Sequence, residues 1–402
     1  MKIHLTLLLA GVLLGCRQIN YGAEPALAKL AAANNEFSFK LLSQLAREQP
    51  GKNIFLSPYS AATALQMAAN GAAGVTKAEM QKVLGTSALD TNELNAACKA
   101  AAALLNSKAT NLILTTANAL WYRQSAQIKK SFLDANRNIH STTIKPLDFS
   151  HVPAAEKAIN HWASDETHGR IDGIANGLID PLYTDLVLAN AIYFKGKWAD
   201  PFDPKLTSDR PFHPAKGAVK PWPMMEESRS FSYRQGSGYQ AVRLPYQGGA
   251  LAMYVFLPAP GSSPGKFLQV MNGDKWRRVT MPGFKPQDGL VVLPKFKLAD
   301  TYELVRPLTA LGMRSAFDHT HADFSGMFGE PHAISAVRQK TFIELGEEGT
   351  EAAAVTVIGT IATSALPIRP KPFELIVDRP FLFAIVDARS EMILFLGVIS
   401  EL

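Results

Sequence analysis

The chain has 402 residues, 47% of them hydrophobic and 19% charged, enough to bury a large core and too apolar for a disordered chain. Its 41 Lys and Arg against 35 Asp and Glu leave a net charge of only +6. The basic residues are scattered, with Arg277–Arg278 the densest pair, whereas a nucleic-acid reader gathers them on one face; nucleic acid is not an expected partner.

In chain order, Lys2 opens a short positive region and Leu5–Leu14 is an apolar run too short to span a membrane as a helix. It ends Leu13-Leu14-Gly15-Cys16, which resembles the lipobox of a bacterial lipoprotein. Residues 1–15 are then a leader, Cys16 carries lipid, and residues 16–33 tether the anchor to the first helix. Leu14 departs from the small residue usual there, and an ordinary secretory leader is the alternative, although no A-x-A site follows closely. Several acyl chains on one Cys anchor a protein stably, and Arg17 after the Cys points to the outer membrane or cell surface. Cys98 is then left alone, with no disulfide framework; its Ala-rich helical setting suits a structural thiol better than a nucleophile.

Pro25–Arg47 reads as helix, with Phe37, Leu41, Leu42 and Leu45 at helical spacing. Ser57-Pro58 starts a second helix that runs to Ala73 and closes over Gly71–Gly74. Thr76-Lys77-Ala78-Glu79 looks like a capping box for a third. Leu112–Tyr122, Leu186–Phe194, Leu251–Leu257 and Met392–Ile399 are β-branched and aromatic strand runs. Helical stretches, Ala154–Glu166 and Tyr302–Leu311, interrupt them without strict alternation, which predicts an α+β fold with large sheets. No Pro/Gly/Ser-rich linker divides the chain, so a single domain is expected.

Catalytic motifs fail on inspection. Gly261-Ser262-Ser263-Pro264-Gly265 matches a nucleophile elbow formally, but the residue after the nucleophile must donate its N–H to the oxyanion hole, and Pro264 has none. A turn is the better reading. His319-Thr320-His321, between Asp318 and Asp323, lacks a third ligand at characteristic spacing and reads as a polar loop. Gly71–Gly74 is not followed by G-K-[ST] and is only a helix end. No enzyme activity, metal or other cofactor is expected.

Thr341–Leu345 alternates as a strand and leads into Gly346-Glu347-Glu348-Gly349-Thr350-Glu351-Ala352-Ala353-Ala354-Val355-Thr356. At period two, Thr350, Ala352, Ala354, Thr356 and Ile358 share one small, apolar face, and the single charge, Glu351, falls on the other. An Ala-rich helix is the competing reading, opposed by the β-branched run that follows. The stretch Ile361–Phe373 has no periodicity, and such long loops in compact proteins are usually functional or disordered.

Glu347-Glu348-Gly349-Thr350-Glu351-Ala352-Ala353-Ala354 resembles the hinge of an inhibitory serpin's reactive loop, and Leu375–Ile385, with Pro380, resembles the C-terminal signature of that family. Asn53–Ser60, Asn190–Trp198 and Leu293–Phe296 resemble further family blocks in the right order, so the likeness spans about Asn34 to Ile399. The resemblance implies three β-sheets ringed by eight or nine helices, a single domain over residues 34–402, and an exposed reactive-centre loop over about 347–372. It also implies a monomeric suicide inhibitor of serine proteases, with cysteine proteases a further class. Cleavage of the loop frees it to insert into the central sheet, trapping the acyl-enzyme. Ser57, Ser60, Asn190, Trp198 and Gln339 take the places where that sheet opens. Many relatives have His at the position of Gln339, so a pH switch centred there is not expected; an amide can still donate and accept.

Family spacing puts the scissile residue fourteen after Gly349, at Thr363 with Ser364 beyond; a hinge shorter by one residue would choose Ala362. The small, uncharged neighbours Gly359–Thr363 predict an elastase-like or subtilisin-like target with a small S1 pocket. Arg369 belongs to the Pro-rich exit, and residues Thr91–Lys108 carry no basic cluster to support glycosaminoglycan activation. The alternative function is a non-inhibitory member acting as substrate or chaperone-like binder, which the clean run Thr350–Thr356 opposes.

Overall fold

The computed structural model describes residues 25–105, 112–140, 142–350 and 371–402. The leader with Cys16, hinge residues Glu351–Ala354, and Ala362, Thr363 and Ser364 lie outside the described residues. The described helices are α1 (Pro25–Glu48), α2 (Pro58–Ala69), α3 (Gly74–Leu84), α4 (Thr91–Leu105), α5 (Lys130–Ile139), α6 (Val152–Glu166), α7 (Pro264–Val270), the single turn α8 (Gly273–Lys275) and α9 (Val305–Leu311). The strands are β1 (Ile54–Leu56), β2 (Leu112–Arg123), β3 (Thr143–Leu147), β4 (Leu186–Lys197), β5 (Ser208–Phe212), β6 (Lys220–Gly236), β7 (Tyr239–Pro245), β8 (Leu251–Pro258), β9 (Lys285–Pro294), β10 (Phe296–Glu303), β11 (Ile334–Gly346), β12 (Gly349–Thr350), β13 (Phe373–Ile376), β14 (Phe381–Asp387) and β15 (Ile393–Ile399). The α+β class is as the sequence predicts.

Local chemistry sets the element ends. Ser57 caps α2 by accepting the Ser60 amide, and Pro58 fits the first turn, where its missing N–H is not needed. That helix closes at Ala69, short of Ala73. The capping box expected at Thr76–Glu79 does not form: α3 begins at Gly74. Thr76 Oγ1 instead accepts from the Asp323 amide at 2.9 Å, and Glu79 accepts from the Arg314 and Ser315 amides at 2.8 and 2.7 Å. Orphan amides of a distant loop have taken the side chains that would have capped the helix. Tyr302 and Glu303 extend β10, so α9 starts only at Val305. Ser263 is a helix cap, its hydroxyl accepting the Lys266 amide, as suits a turn and not a nucleophile.

The strands form two hydrogen-bonded networks. The larger runs β1-β15-β14-β8-β7-β6-β9-β13, with β5 also on β6. The three expected sheets are present with two of them joined, because β6 belongs to both: Met224–Tyr233 pairs with β9, and Ser232–Gly236 with β7. The smaller network runs β10-β11-β12-β4-β2-β3, and β11 also pairs directly with β4. That contact is parallel, with Ile334–Phe342 against Leu186–Tyr193.

Both faces of β4, in the middle of the six-stranded sheet, are buried. Ile192, Phe194, Ile343 and Leu345 pack against the larger network in one core with Phe383 and Phe395. Residues of opposite parity, Ala117, Ala119, Ala189 and Ala191, share a second core with Ile159 and Trp162 of α6. Burial on both faces explains why β4 reads as a nearly unbroken apolar run.

Asp185, immediately before β4, holds Arg123 at 3.2 Å, His319 at 3.4 Å and His332 at 3.5 Å, so part of the His319–His321 loop is tied to the foot of the sheet. Burial pulls the Asp185 carboxyl upward, but the His332 ring, then Arg123 and His319, outweigh it and hold the group below the ordinary carboxylate range. A carboxyl depressed in the folded state adds stability above its unfolded value of about 3.9 and loses it as pH falls through the lower folded value. Asp185→Asn should therefore lower the urea midpoint at neutral pH and flatten its decline below about pH 4. A variant whose midpoint follows the wild-type acid profile would show that these contacts contribute nothing.

Candidate functional site

Three neighbouring strands carry a row of amides across the six-stranded sheet. Gln339 of β11 stands opposite Asn190 of β4, and Asn190 stands opposite Asn118 of β2. Gln339 is fully buried. Its Nε2 donates to Asn190 Oδ1 at 2.6 Å and to the Ser57 carbonyl at 2.9 Å, while its Oε1 accepts from the Ser57 amide at 2.8 Å. Asn190 Nδ2 then donates to Ser60 Oγ and Asn118 Oδ1. The start of α2 is thereby bolted to the β11–β4 seam by a satisfied buried network, which rigidifies as a unit. The Gln339 amide uses both its polar atoms here and does not titrate.

The seam is closed only part of the way. Beyond Phe342 and Tyr193 the direct pairing stops, and β12 lies between the two strands, antiparallel to both: Gly349 faces Gly346 and Lys197, and Thr350 faces Leu345 and Gly196. Gly349 has φ 144°, and a Cβ there would lie 2.1 Å from the Gly196 carbonyl oxygen and 2.7 Å from Lys197 Cα, so the cleft admits only glycine. Thr350 is fully buried, its hydroxyl 2.9 Å from the Tyr246 hydroxyl. Burial raises the Tyr246 phenol well above its ordinary value, so this contact is a neutral hydrogen bond.

Upstream of β12 the turn is pinned. The Trp198 amide donates to the Glu348 carbonyl at 2.7 Å and the Phe202 amide to the Glu347 carbonyl at 2.9 Å. Trp198 Nε1 donates to the Gly346 carbonyl at 3.1 Å, and its ring stacks on Tyr246 with centroids 4.6 Å apart. Lys295 meets the Glu347 carboxylate at 2.9 Å, Thr207 Oγ1 donates to it at 2.9 Å, and Lys197 lies 3.7 Å from Glu348. Partial burial pulls the Glu347 carboxyl upward, but Lys295, its own backbone N–H and Thr207 outweigh it and keep it below the ordinary range.

Of the residues singled out in the sequence, Glu347, Glu348, Gly349, Thr350 and Trp198 thus meet at the open end of the seam, and Ser57, Ser60, Asn190 and Gln339 meet along its closed part. The loop expected to be exposed from about residue 347 has its first strand buried, because Gly349 permits close approach and Tyr246 satisfies the Thr350 hydroxyl. Sequence reasoning missed Asn118, although a lone amide within a buried strand was a visible signal, and it missed Thr207 and Tyr246, which carry none. Among the described residues no group of His, Cys, Asp and Glu could hold a metal ion.

Comparison with known proteins finds that residues 32–402 match the family model "Serpin (serine protease inhibitor)". The leukocyte elastase inhibitor of Bos taurus is 36% identical over 383 residues, covering 93% of this chain and 99% of that one. An uncharacterised serpin-like protein of Thermococcus kodakarensis is 36% identical over 369 residues, 91% of this chain and 84% of its own. Among solved structures, the thermophilic serpin Tengpin in its native state superposes with a TM-score of 0.84 at 28% identity, covering 94% of this chain and 95% of that one.

The Thr350–Tyr246 contact can be removed by one atom. Tyr246→Phe leaves a buried hydroxyl unpaired, at about 1–3 kcal/mol. The Trp198 amide, which the inserted turn protects, should then exchange with solvent roughly 5- to 150-fold faster. Unchanged exchange would show that the hydroxyl pair does not hold the hinge in the cleft.

Proposed function

Because the chain belongs to the serpin family of serine protease inhibitors, we propose that it is an irreversible suicide inhibitor of an elastase-like or subtilisin-like serine protease. The observation that carries this reading is the two-residue strand β12, already seated between β11 and β4 and antiparallel to both. Continued insertion would replace one parallel pair, the slightly weaker kind, by two antiparallel ones. Extending the β12 register would set Thr360 against Leu186, the first residue of β4, and Ile361 against Ile334, the first of β11. The cleft therefore has the length to take the hinge and bring Thr363 just past the far end of the sheet. Gly349 and Thr363 are 14 residues apart, so the inserted segment would be about 46 Å long at roughly 3.3 Å per residue.

The side chains suit that path. Thr350 points into the core, so Ala352, Ala354, Thr356 and Ile358 would follow it onto the buried face, and none is charged. A protease acylated at Thr363 would be drawn to the opposite pole, where distortion misaligns its oxyanion hole and halts deacylation. The energy for this resides in the uninserted fold, which persists kinetically. A small S1 pocket fits Ala362, Thr363 and Ser364, and the Bos taurus relative is named for elastase inhibition. Cys16 would tether the inhibitor by lipid to the outer membrane or cell surface; because α1 begins at Pro25, the tether expected over residues 16–33 shortens to the stretch before that helix.

Incubation with an elastase should yield a covalent complex on a denaturing gel, at the summed mass of protease and inhibitor, with the released C-terminal peptide beginning at Ser364. Thr350→Arg should be cleaved without forming that band, because insertion would bury an unpaired charge. Thr363→Arg should shift trapping toward trypsin. A Thr350→Arg variant that still traps protease would rule out insertion, and a Thr363→Arg variant with no gain against trypsin would rule out this register.

A further inference from the structure

The turn that leads into β4 shows two large apolar side chains to solvent. Leu182 is 77% exposed and Tyr183 68% exposed, and among the described residues no other exposed pair of large apolar side chains is adjacent in sequence. A loose loop does not account for this display. The Asp180 carboxylate accepts the Leu182 and Tyr183 amides at 2.8 and 3.1 Å, its own amide donates to Thr184 Oγ1 at 2.8 Å, and its carbonyl accepts the Thr184 amide at 2.9 Å. The Arg123 guanidinium donates to the carbonyls of Pro181, Leu182 and Thr184, and Ser335 Oγ of β11 donates to the Tyr183 carbonyl at 3.1 Å. The polar backbone groups are thus turned inward and held, while the apolar side chains point out of an already ordered turn. Such a patch is a contact surface whose ordering cost is met before any partner arrives.

Position identifies the partner. The turn runs straight into Leu186, the first residue of β4, and is bonded to Ser335, the second residue of β11, so it stands at the foot of the β11–β4 seam. Extending the β12 register sets Thr360 against Leu186, and counting on by the same ladder brings Thr363 level with Tyr183. A protease bonded through its catalytic serine to the Thr363 carbonyl would then press the surface around its substrate cleft onto this turn. The charges beneath the tip, Arg123 and Asp185, are paired with each other at 3.2 Å, which leaves the tip itself apolar. We propose that Leu182 and Tyr183 are the seat of the acylated protease at the end of insertion, receiving apolar surface beside its substrate cleft. The assignment rests on the inhibitor reading above. Contact there would hold the distorted protease against relaxation and so slow hydrolysis of the acyl bond.

Tyr183 is the only exposed tyrosine among the described residues, which makes it a clean reporter. Nitration by tetranitromethane, mapped by mass spectrometry, is read in three forms of the full chain: intact, cut once near Thr363 and free of protease, and covalently joined to an elastase. Tyr183 should be nitrated in the first two forms and protected in the third. Leu182→Ser combined with Tyr183→Ser, which keeps the backbone bonds of the turn, should shorten the life of the covalent complex about tenfold, whereas Val270→Ser, at an exposed apolar residue of α7, should not. If no covalent complex forms, the inhibitor reading falls and this proposal with it. If the complex forms but Tyr183 is nitrated as readily as in the cut protein, the proposal alone is overturned and the inhibitor reading stands. Protection already present in the cut protein, or a complex whose life the double substitution leaves unchanged, would overturn it as well.

Discussion

The contact between Gln339 and Asn190 governs what this molecule can do. The two residues face each other across the only place where the inner strands of the six-stranded sheet, as described, run parallel side by side, and their amides join Asn118, Ser60 and Ser57 in one network. Each bond in that row is buried and directional. Separating β11 from β4 breaks the buried Gln339–Asn190 bond that spans them, while Ser57 stays bonded to Gln339 and Ser60 and Asn118 to Asn190. On the proposed mechanism the sheet is held shut short of its best-paired arrangement, and its persistence would depend on a barrier.

The opposite end of the seam is prepared for entry. Glu347 and Glu348 are fixed by Lys295, Thr207, Lys197 and two backbone amides, so the pivot of the loop is set in place. Gly349 threads past the Gly196 carbonyl where no side chain would fit, and Thr350 makes the first inward contact. Gly349 and Thr350 are already in antiparallel register with both neighbours, so the proposed insertion would begin from a formed nucleus. In the proposed insertion the ladder would continue past Gln339 and Asn190 until the seam's parallel pairing had been exchanged.

Much of this was legible in the residues. The α+β class, the long first helix, the Ser57 cap and the principal strands follow from periodicity and turn chemistry, and the hinge stands out through its run of small side chains after Glu348. Failures came where distant groups competed for local ones. Thr76 and Glu79 have the spacing of a capping box, but the amides of Asp323, Arg314 and Ser315 claim them, and no local reading contains that information. Tyr246 is similarly silent in sequence, because its role depends on a loop strand 104 residues away. The joining of two sheets through β6 was hidden for the same reason: strand length is local, but the choice of partner along it is not.

The central claim is that the intact fold stores energy that loop insertion releases. The most direct measurement compares thermal unfolding of the intact protein with that of the same protein cut once near Thr363. Release of stored strain predicts that the cleaved form melts well above the intact one, because the freed segment completes the sheet between β11 and β4. A cleaved form that melts at the same temperature or below would contradict the account.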